Sequence, residues 1–245
     1  MLADAAAVLA DAAAGLADGP ARPGDARGSQ PADLFDLGHW KLQLPGPRDV
    51  QPRELLAGFS DGHFYLDGAS KELVFSLDAA EKGSTSNSSY VRSELREQLT
   101  PNSDRPNWNA ASGTHVLTAR CKVVQNTLSP NKITVLQIHG IGSDGQSAPP
   151  LTRLVFEDGV LLIRYKADKS GNTENKVSCG SYSGYVDYEV KVQGSRLIVT
   201  VNGSEKLNRD ISYWTWDNYF KAGAYPQATQ GRVSVQFAKL SVAHL

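Results

Sequence analysis

The chain is poor in cysteine, with only Cys121 and Cys179 in 245 residues. Neither belongs to a C-x-x-C pair or lies near a histidine cluster, which argues against a zinc centre or a thioredoxin-like dithiol; spacing alone leaves open whether the two are bridged. Long apolar runs are missing too, and none approaches the ~20 residues that a membrane-spanning helix needs. Neither sign of charge is in excess. A formal net charge of -1 argues against binding nucleic acid or another polyanion through overall charge, while leaving room for a local basic cleft on a nearly neutral body. A helical period is scarce beyond the N-terminus and is suggested only around Pro52 to Ala57. His39, His63, His115 and His244 are scattered without ligand spacing, so they are expected to be structural or surface residues, and no metal site is expected.

What is present begins with an alanine-rich stretch, Met1 to Gly19, that repeats Leu-Ala-Asp at Leu2, Leu9 and Leu16. The seven-residue step suits a short helix with a narrow leucine stripe. With no early Lys or Arg, and with Asp4 and Asp11 inside it, this stretch does not read as a signal peptide. Gly19 to Pro31 is Pro, Gly and Ser punctuation, a linker. Residues 1–31 are therefore expected to be a helical extension and linker, and 32–245 the functional body, which at this length suits one large all-β domain.

Within that body short strands dominate. His39 to Leu44 alternates, with Trp40, Leu42 and Leu44 on one face. Strand patterns follow at Leu73 to Leu77, His115 to Val124, Leu154 to Phe156, Val160 to Tyr165, Tyr185 to Val192, Arg196 to Val201 and Val233 to Phe237. Glu157-Asp158-Gly159 and Asn202-Gly203 are turn signals between them. Many short strands at roughly ten-residue spacing predict an antiparallel sandwich or jelly roll.

Three stretches depart from ordinary surface strands. In Tyr90 to Leu99, a period of two puts Tyr90, Arg92, Glu94, Arg96 and Gln98 on one face and mostly apolar residues on the other. In Thr134 to Ile141, Gln137 and His139 oppose Leu136 and Ile138. In Tyr219 to Gln227, Tyr219, Lys221, Tyr225 and Gln227 oppose Phe220, Ala222 and Ala224. Solvated faces favour Lys, Glu, Thr and Ser, whereas these carry Arg, Gln, His and Tyr.

In these motifs the chain resembles the alginate lyases of polysaccharide lyase family 7. The family's R-S/T-E-L-R, Q-I/V-H and Y-F-K-A-G-x-Y-x-Q strands stand here in that order as Arg92-Ser-Glu-Leu-Arg96, Gln137-Ile-His139 and Tyr219-Phe-Lys-Ala-Gly-Ala-Tyr-Pro-Gln227. Trp40-Lys-Leu-Gln-Leu-Pro45 and Asn87-Ser-Ser-Tyr90 also look like the family, so the similarity runs from about Asp33 to the C-terminus. The resemblance implies a β-jelly roll of two curved antiparallel sheets with an acidic polysaccharide lying across the concave face. It further implies β-elimination of 1,4-linked uronates, without cofactor or required metal, by a protein expected to act as a monomer.

On the same resemblance, Arg92 and Gln137 contact the uronate carboxylate, His139 is the base and Tyr225 the acid. Arginine supplies a charged planar fork and glutamine a neutral donor for an enolate-like dianion. Arg96 lies about 13 Å from Arg92 at ~3.3 Å per residue, too far to share one carboxylate. Arg96 and Lys221 are thus expected to serve neighbouring sugars. Glu94 is expected either to orient both guanidiniums or to form a plain salt bridge, while Tyr90, Tyr219 and Gln227 either bind sugar hydroxyls or support the site. Gly-, Ser- and Pro-rich loops at Gly83 to Ser89 and Gly142 to Pro150 either close over the polymer or are ordinary connections. Ile138 links the chain to family members active on guluronate-containing polymer. Endolytic cleavage to unsaturated oligosaccharides is the expected outcome, and a polymeric substrate argues for a secreted or periplasmic protein. The alternative is a non-catalytic jelly-roll module that binds the same polymer. A hydrolase with paired carboxylates is disfavoured, since Glu94 is the only acid on the three polar faces.

Overall fold

The computed structural model describes residues 29–81, 83, 90–98, 108–141, 147–170 and 172–245. The Leu-Ala-Asp repeat and most of the linker, as well as residues 84–89 and 142–146 of the two glycine- and serine-rich loops, lie outside the described residues.

The described chain opens with a short helix, α1 (Pro31–Leu34), followed by β1 (Trp40–Leu44) and β2 (Arg48–Val50). The helix anticipated at Pro52 to Ala57 is α2 (Pro52–Leu56), started by Pro at its first position and by a capping box between Gln51 and Glu54. Then come β3 (Phe64–Leu66), β4 (Leu73–Asp78), β5 (Ser93–Glu97), β6 (Trp108–Asn109), β7 (Thr114–Asn126) and β8 (Lys132–Ile141). The remainder is β9 (Ser147–Glu157), β10 (Val160–Lys166), β11 (Glu174–Ser181), β12 (Val186–Gln193), β13 (Arg196–Val201), β14 (Ser204–Asp210), β15 (Asp217–Pro226) and β16 (Arg232–His244).

These strands form two antiparallel sheets. The first runs β11-β10-β9-β8-β15-β5-β1-β2, with β6 added to one end of β15; the second runs β14-β13-β12-β7-β16-β4-β3. The sandwich anticipated from strand spacing is thus present. Its hairpins use the turn chemistry the sequence offers: Asp158 and Gly159 (φ 50° and 79°) join β9 to β10, and Asn202 and Gly203 (φ 48° and 76°) join β13 to β14. Positive φ at both central residues matches the right-handed twist of the flanking strands.

The core lies between the sheets. Alternation on β12 sends Val186, Tyr188, Val190 and Val192 inward, into one buried cluster that also holds Leu117, Leu136, Ile138, Leu154 and Phe237. Cys121 and Cys179 are both buried and unbridged. Burial pushes the Cys121 thiol up to about 12, so it behaves as an apolar core group.

Behind β5 the sheets are tied by a polar link. Glu97 follows Arg96 but points the other way: its Oε2 accepts from Phe220 N (2.8 Å) and Trp108 Nε1 (3.1 Å), and its Oε1 lies 2.5 Å from His244 Nε2. His244 in turn bonds His115 through their Nδ1 atoms at 2.8 Å. Both histidines, expected to be structural or surface residues, take part in this link.

Candidate active site

The three unusual stretches become three adjacent strands, with β15 in the middle, β8 on one side and β5 on the other. Register fixes what faces what. Tyr219 lies opposite His139 and Lys221 opposite Gln137 across β15 and β8, while Lys221 lies opposite Arg96 and Gly223 opposite Glu94 across β15 and β5. Since directly opposed residues in a ladder share a face, the polar side chains converge on one surface.

Gly223 makes this convergence possible. Its φ is +148°, and a Cβ there would lie 2.5 Å from Ser93 O and 2.8 Å from the Glu94 Cα. Only a residue without a side chain lets β15 approach β5 so closely, and the pairing with β8 shifts register over the same stretch, between Ala222 and Tyr225. Gln227 secures the far side of this irregularity, accepting from Thr134 Oγ1 (3.0 Å) and donating to Tyr225 O (2.5 Å).

Glu94 is the hub. It is fully buried, and its carboxylate receives Lys221 Nζ at 2.5 Å, Arg92 NH1 at 3.2 Å and Gln137 Nε2 at 2.6 Å. Burial by itself would raise its pKa, but Lys221 and Arg92, with Gln137, outweigh that and hold the carboxyl below its usual range. Burial has the opposite effect on Lys221, whose pKa falls to about 7 despite Glu94, with Arg92 and Arg96 adding to the fall. Lys221 is 2% exposed, so in this arrangement it reaches Glu94 rather than outward. The guanidinium orienting expected of Glu94 extends to Arg92; Arg96 instead stacks on Tyr219 and donates to Glu97 O at 3.3 Å.

Each arginine lies on a tyrosine ring, Arg92 over Tyr225 and Arg96 over Tyr219, both at 4.0 Å from the ring centroid. Stacking covers a face of the guanidinium and leaves its edge N–H groups to pair with planar carboxylates. His139 lies against the Tyr219 ring at 5.3 Å and 15° from parallel, and Tyr90 meets Tyr225 edge-on at 6.4 Å.

Exposure sorts these groups. Arg92, Glu94, Arg96, Gln137, Lys221, Tyr219 and Gln227 are buried, whereas Tyr90, His139 and Tyr225 are half-buried and form the accessible rim. His139 Nδ1 lies 2.9 Å from Gly140 O. A carbonyl only accepts, so Nδ1 carries the hydrogen and a neutral ring offers its lone pair at Nε2. Desolvation foremost, then the charge of Lys221, pulls the His139 pKa down to about 4, keeping the ring neutral across the physiological range. The surface thus combines fixed cations, a neutral donor amide, a neutral imidazole base and a phenol. Among the described residues no cluster of His, Cys, Asp or Glu is arranged to hold a metal ion.

The row opposite Lys221 extends further than the three motifs. Lys41 lies opposite Arg96 on β1, and Arg153 opposite Gln137 on β9. The alternation of Trp40, Leu42 and Leu44 already placed Lys41 on the polar face of its strand. Arg153 has no comparable signal, because it directly precedes the short apolar run Leu154 to Phe156.

A family model described as alginate lyase matches residues 35–244. An alginate lyase of Photobacterium sp. (strain ATCC 43367) is 26% identical over 216 residues, covering 75% of this chain and 73% of that protein. The crystal structure of the family 7 alginate lyase A1-II′ in complex with substrate (GGMG) superposes with a TM-score of 0.80 at 34% identity, covering 88% of this chain and 96% of the other. Alginate lyase AlgAT5 from polysaccharide lyase family 7 superposes with a TM-score of 0.75 at 25% identity, over 89% of this chain and 99% of the other.

Proposed function

The chain belongs to the alginate lyases of polysaccharide lyase family 7, and from that premise we propose that it cleaves alginate endolytically, favours guluronate-containing stretches and releases oligosaccharides with a 4,5-unsaturated terminal sugar. The observation that carries the mechanism is the pairing of a cationic cluster around buried Glu94 with two half-exposed proton-transfer groups, His139 and Tyr225.

Elimination requires the C5 carboxylate to be neutralised, the C5 proton removed and O4 protonated. Arg92 and Gln137 stabilise the carboxylate as it takes up enolate charge. Both are already held by Glu94, so little reorganisation accompanies the reaction. In guluronate the C5 proton and O4 lie on opposite sides of the ring. His139 Nε2 accepts the C5 proton, the C5–H electrons become the C4–C5 double bond, the C4–O4 bond breaks, and the Tyr225 hydroxyl gives its proton to O4. Proton exchange with water then restores both residues. In mannuronate the two groups lie on one side, and Tyr225 serves both roles. Lys221 acts from beneath, fixing Glu94 and adding positive charge. Tyr219 supports His139 and Arg96, and Arg96 serves the neighbouring sugar. A polymeric substrate supports an exported enzyme.

The test is incubation with separate polyguluronate, polymannuronate and mixed blocks, following the ultraviolet absorbance of the new double bond and sizing the products. Fastest cleavage of guluronate-containing blocks to a spread of oligomers is expected. Release of single sugars from the start would defeat endolytic action, and fastest cleavage of polymannuronate would defeat the preference.

A further inference from the structure

Seven residues on seven neighbouring strands stand directly opposite one another: Lys41, Arg96, Lys221, Gln137, Arg153, Arg164 and Lys176. They cross the first sheet from β1 to β11 at right angles to its strands, and six of them are cations. At ~4.8 Å between strands the row is about 29 Å long. The proposed chemistry occupies its inner part and leaves the arm on β9, β10 and β11 without a role.

This arm is built as the centre is. Glu174 receives Arg153 NH2 at 2.5 Å and Arg164 NH1 at 2.9 Å, as Glu94 receives Lys221 and Arg92, and Arg164 NH2 also pairs with Glu157. Burial alone would raise the Glu174 pKa, but Arg153 and Arg164 keep it below the usual range. Three lysines join the same face: Lys132 opposite Glu157, Lys166 opposite Glu174, and Lys176. The cluster holds five cations against two carboxylates, and Lys176 is exposed while Lys132 and Lys166 are half-buried. The Lys132 pKa is lowered by burial first and next by the charge of Arg164, a sign of crowded positive charge. A fold needing only cross-strand ion pairs would balance the signs. An excess of one sign aligned with a site for a polyanion is an extended counter-charge.

We infer that the outer arm of this row, Arg153, Arg164 and Lys176 with Lys132 and Lys166 beside them, is a second carboxylate-binding subsite that holds uronates of the same polymer several sugars from the cleaved linkage. Arg153 and Arg164 supply charge fixed by Glu174 and Glu157, and the lysines make the contacts. The inference rests on the polyuronate-lyase reading above, and it makes affinity depend on chain length.

The test compares wild type with the Lys166→Gln/Lys176→Gln double variant on size-fractionated oligouronates, from the shortest that wild type cleaves up to polymer. At low salt the variant is expected to show a KM for polymer raised about fivefold, with a loss that shrinks as the chain shortens and narrows at high salt. Fluorescence-polarisation binding of labelled long oligomers to the same proteins reads affinity without turnover. Equal losses on all lengths, or a wild-type length dependence in the variant, would overturn the subsite and leave these residues as a cross-strand ion-pair network. Failure of wild type to cleave any uronate polymer would instead sink the lyase reading itself.

Discussion

The imidazole of His139 and the ring of Tyr219 lie 5.3 Å apart and 15° from parallel, and the same Tyr219 ring carries the Arg96 guanidinium at 4.0 Å. Tyr219 is flanked by β8 and β5, so one buried ring fixes both a proposed base and a proposed sugar-binding cation. Tyr219→Phe keeps both stacks and is expected to retain most activity. Tyr219→Leu removes them and is expected to lower kcat about ten- to a hundredfold, because loss of orientation at the reacting groups is costly. Steady-state kinetics on both variants separates ring from hydroxyl.

The depressed pKa of His139 gives a signed pH dependence. With the folded value near 4 and the unfolded value about 6.5, the unfolded chain binds more protons between those limits. Stability from this group is therefore complete above about 6.5 and is lost as pH falls toward the folded value. Urea unfolding from pH 7 to 4 is expected to show a steeper loss for wild type than for His139→Asn. In the same window kcat/KM is expected to hold until pH approaches 4 and then fall as the base is protonated.

Tyr225 stacks under Arg92 through its ring and is half-buried. Tyr225→Phe retains the stack and removes the proposed acid. A fall in product absorbance of at least about 10²-fold is expected, with an unchanged melting temperature. Near-normal turnover in a folded variant would remove Tyr225 from the proton path.

Glu94→Gln preserves shape but leaves Lys221 without its anion. Lys221 already sits near 7, so it escapes by losing its proton, which limits the expected destabilisation to about 1–3 kcal/mol. Turnover is expected to fall about 10²- to 10³-fold as Arg92 and Gln137 lose their common anchor. Thermal melting and kinetics on one preparation test both.

Gly223→Ala would drive a Cβ into Ser93 O at a backbone angle that side chains rarely adopt. A loss of about 2–4 kcal/mol in urea unfolding is expected, since both backbone strain and overpacking contribute. A stability within 0.5 kcal/mol of wild type, roughly the scatter of a neutral surface change, would show that β15 and β5 separate easily.

The interior of the fold was legible where strands bury a whole face. β1, β4, β7, β9, β10, β12, β13 and β16 all carry the alternation or apolar run that marked them. The strands without such a signature include β2, β3, β11 and β14, which are the four edges of the two sheets. An edge strand pairs on one side only and tolerates charge, so Glu174-Asn-Lys and Ser204-Glu-Lys read as loop. The site was legible because its polar residues break the usual surface composition. The burial of Lys221 was not legible, since a lysine on a strand looks the same whether it faces solvent or a glutamate.

One carboxylate receives three donors at Glu94, and this makes Arg92, Gln137 and Lys221 a single thermodynamic unit. Removing any one frees the others to rearrange, so the effects of paired substitutions will fall short of the sum of the single ones. Variation in this protein that changes one of these four residues is therefore conditional on the other three, and activity is retained most readily when the cluster changes as a set.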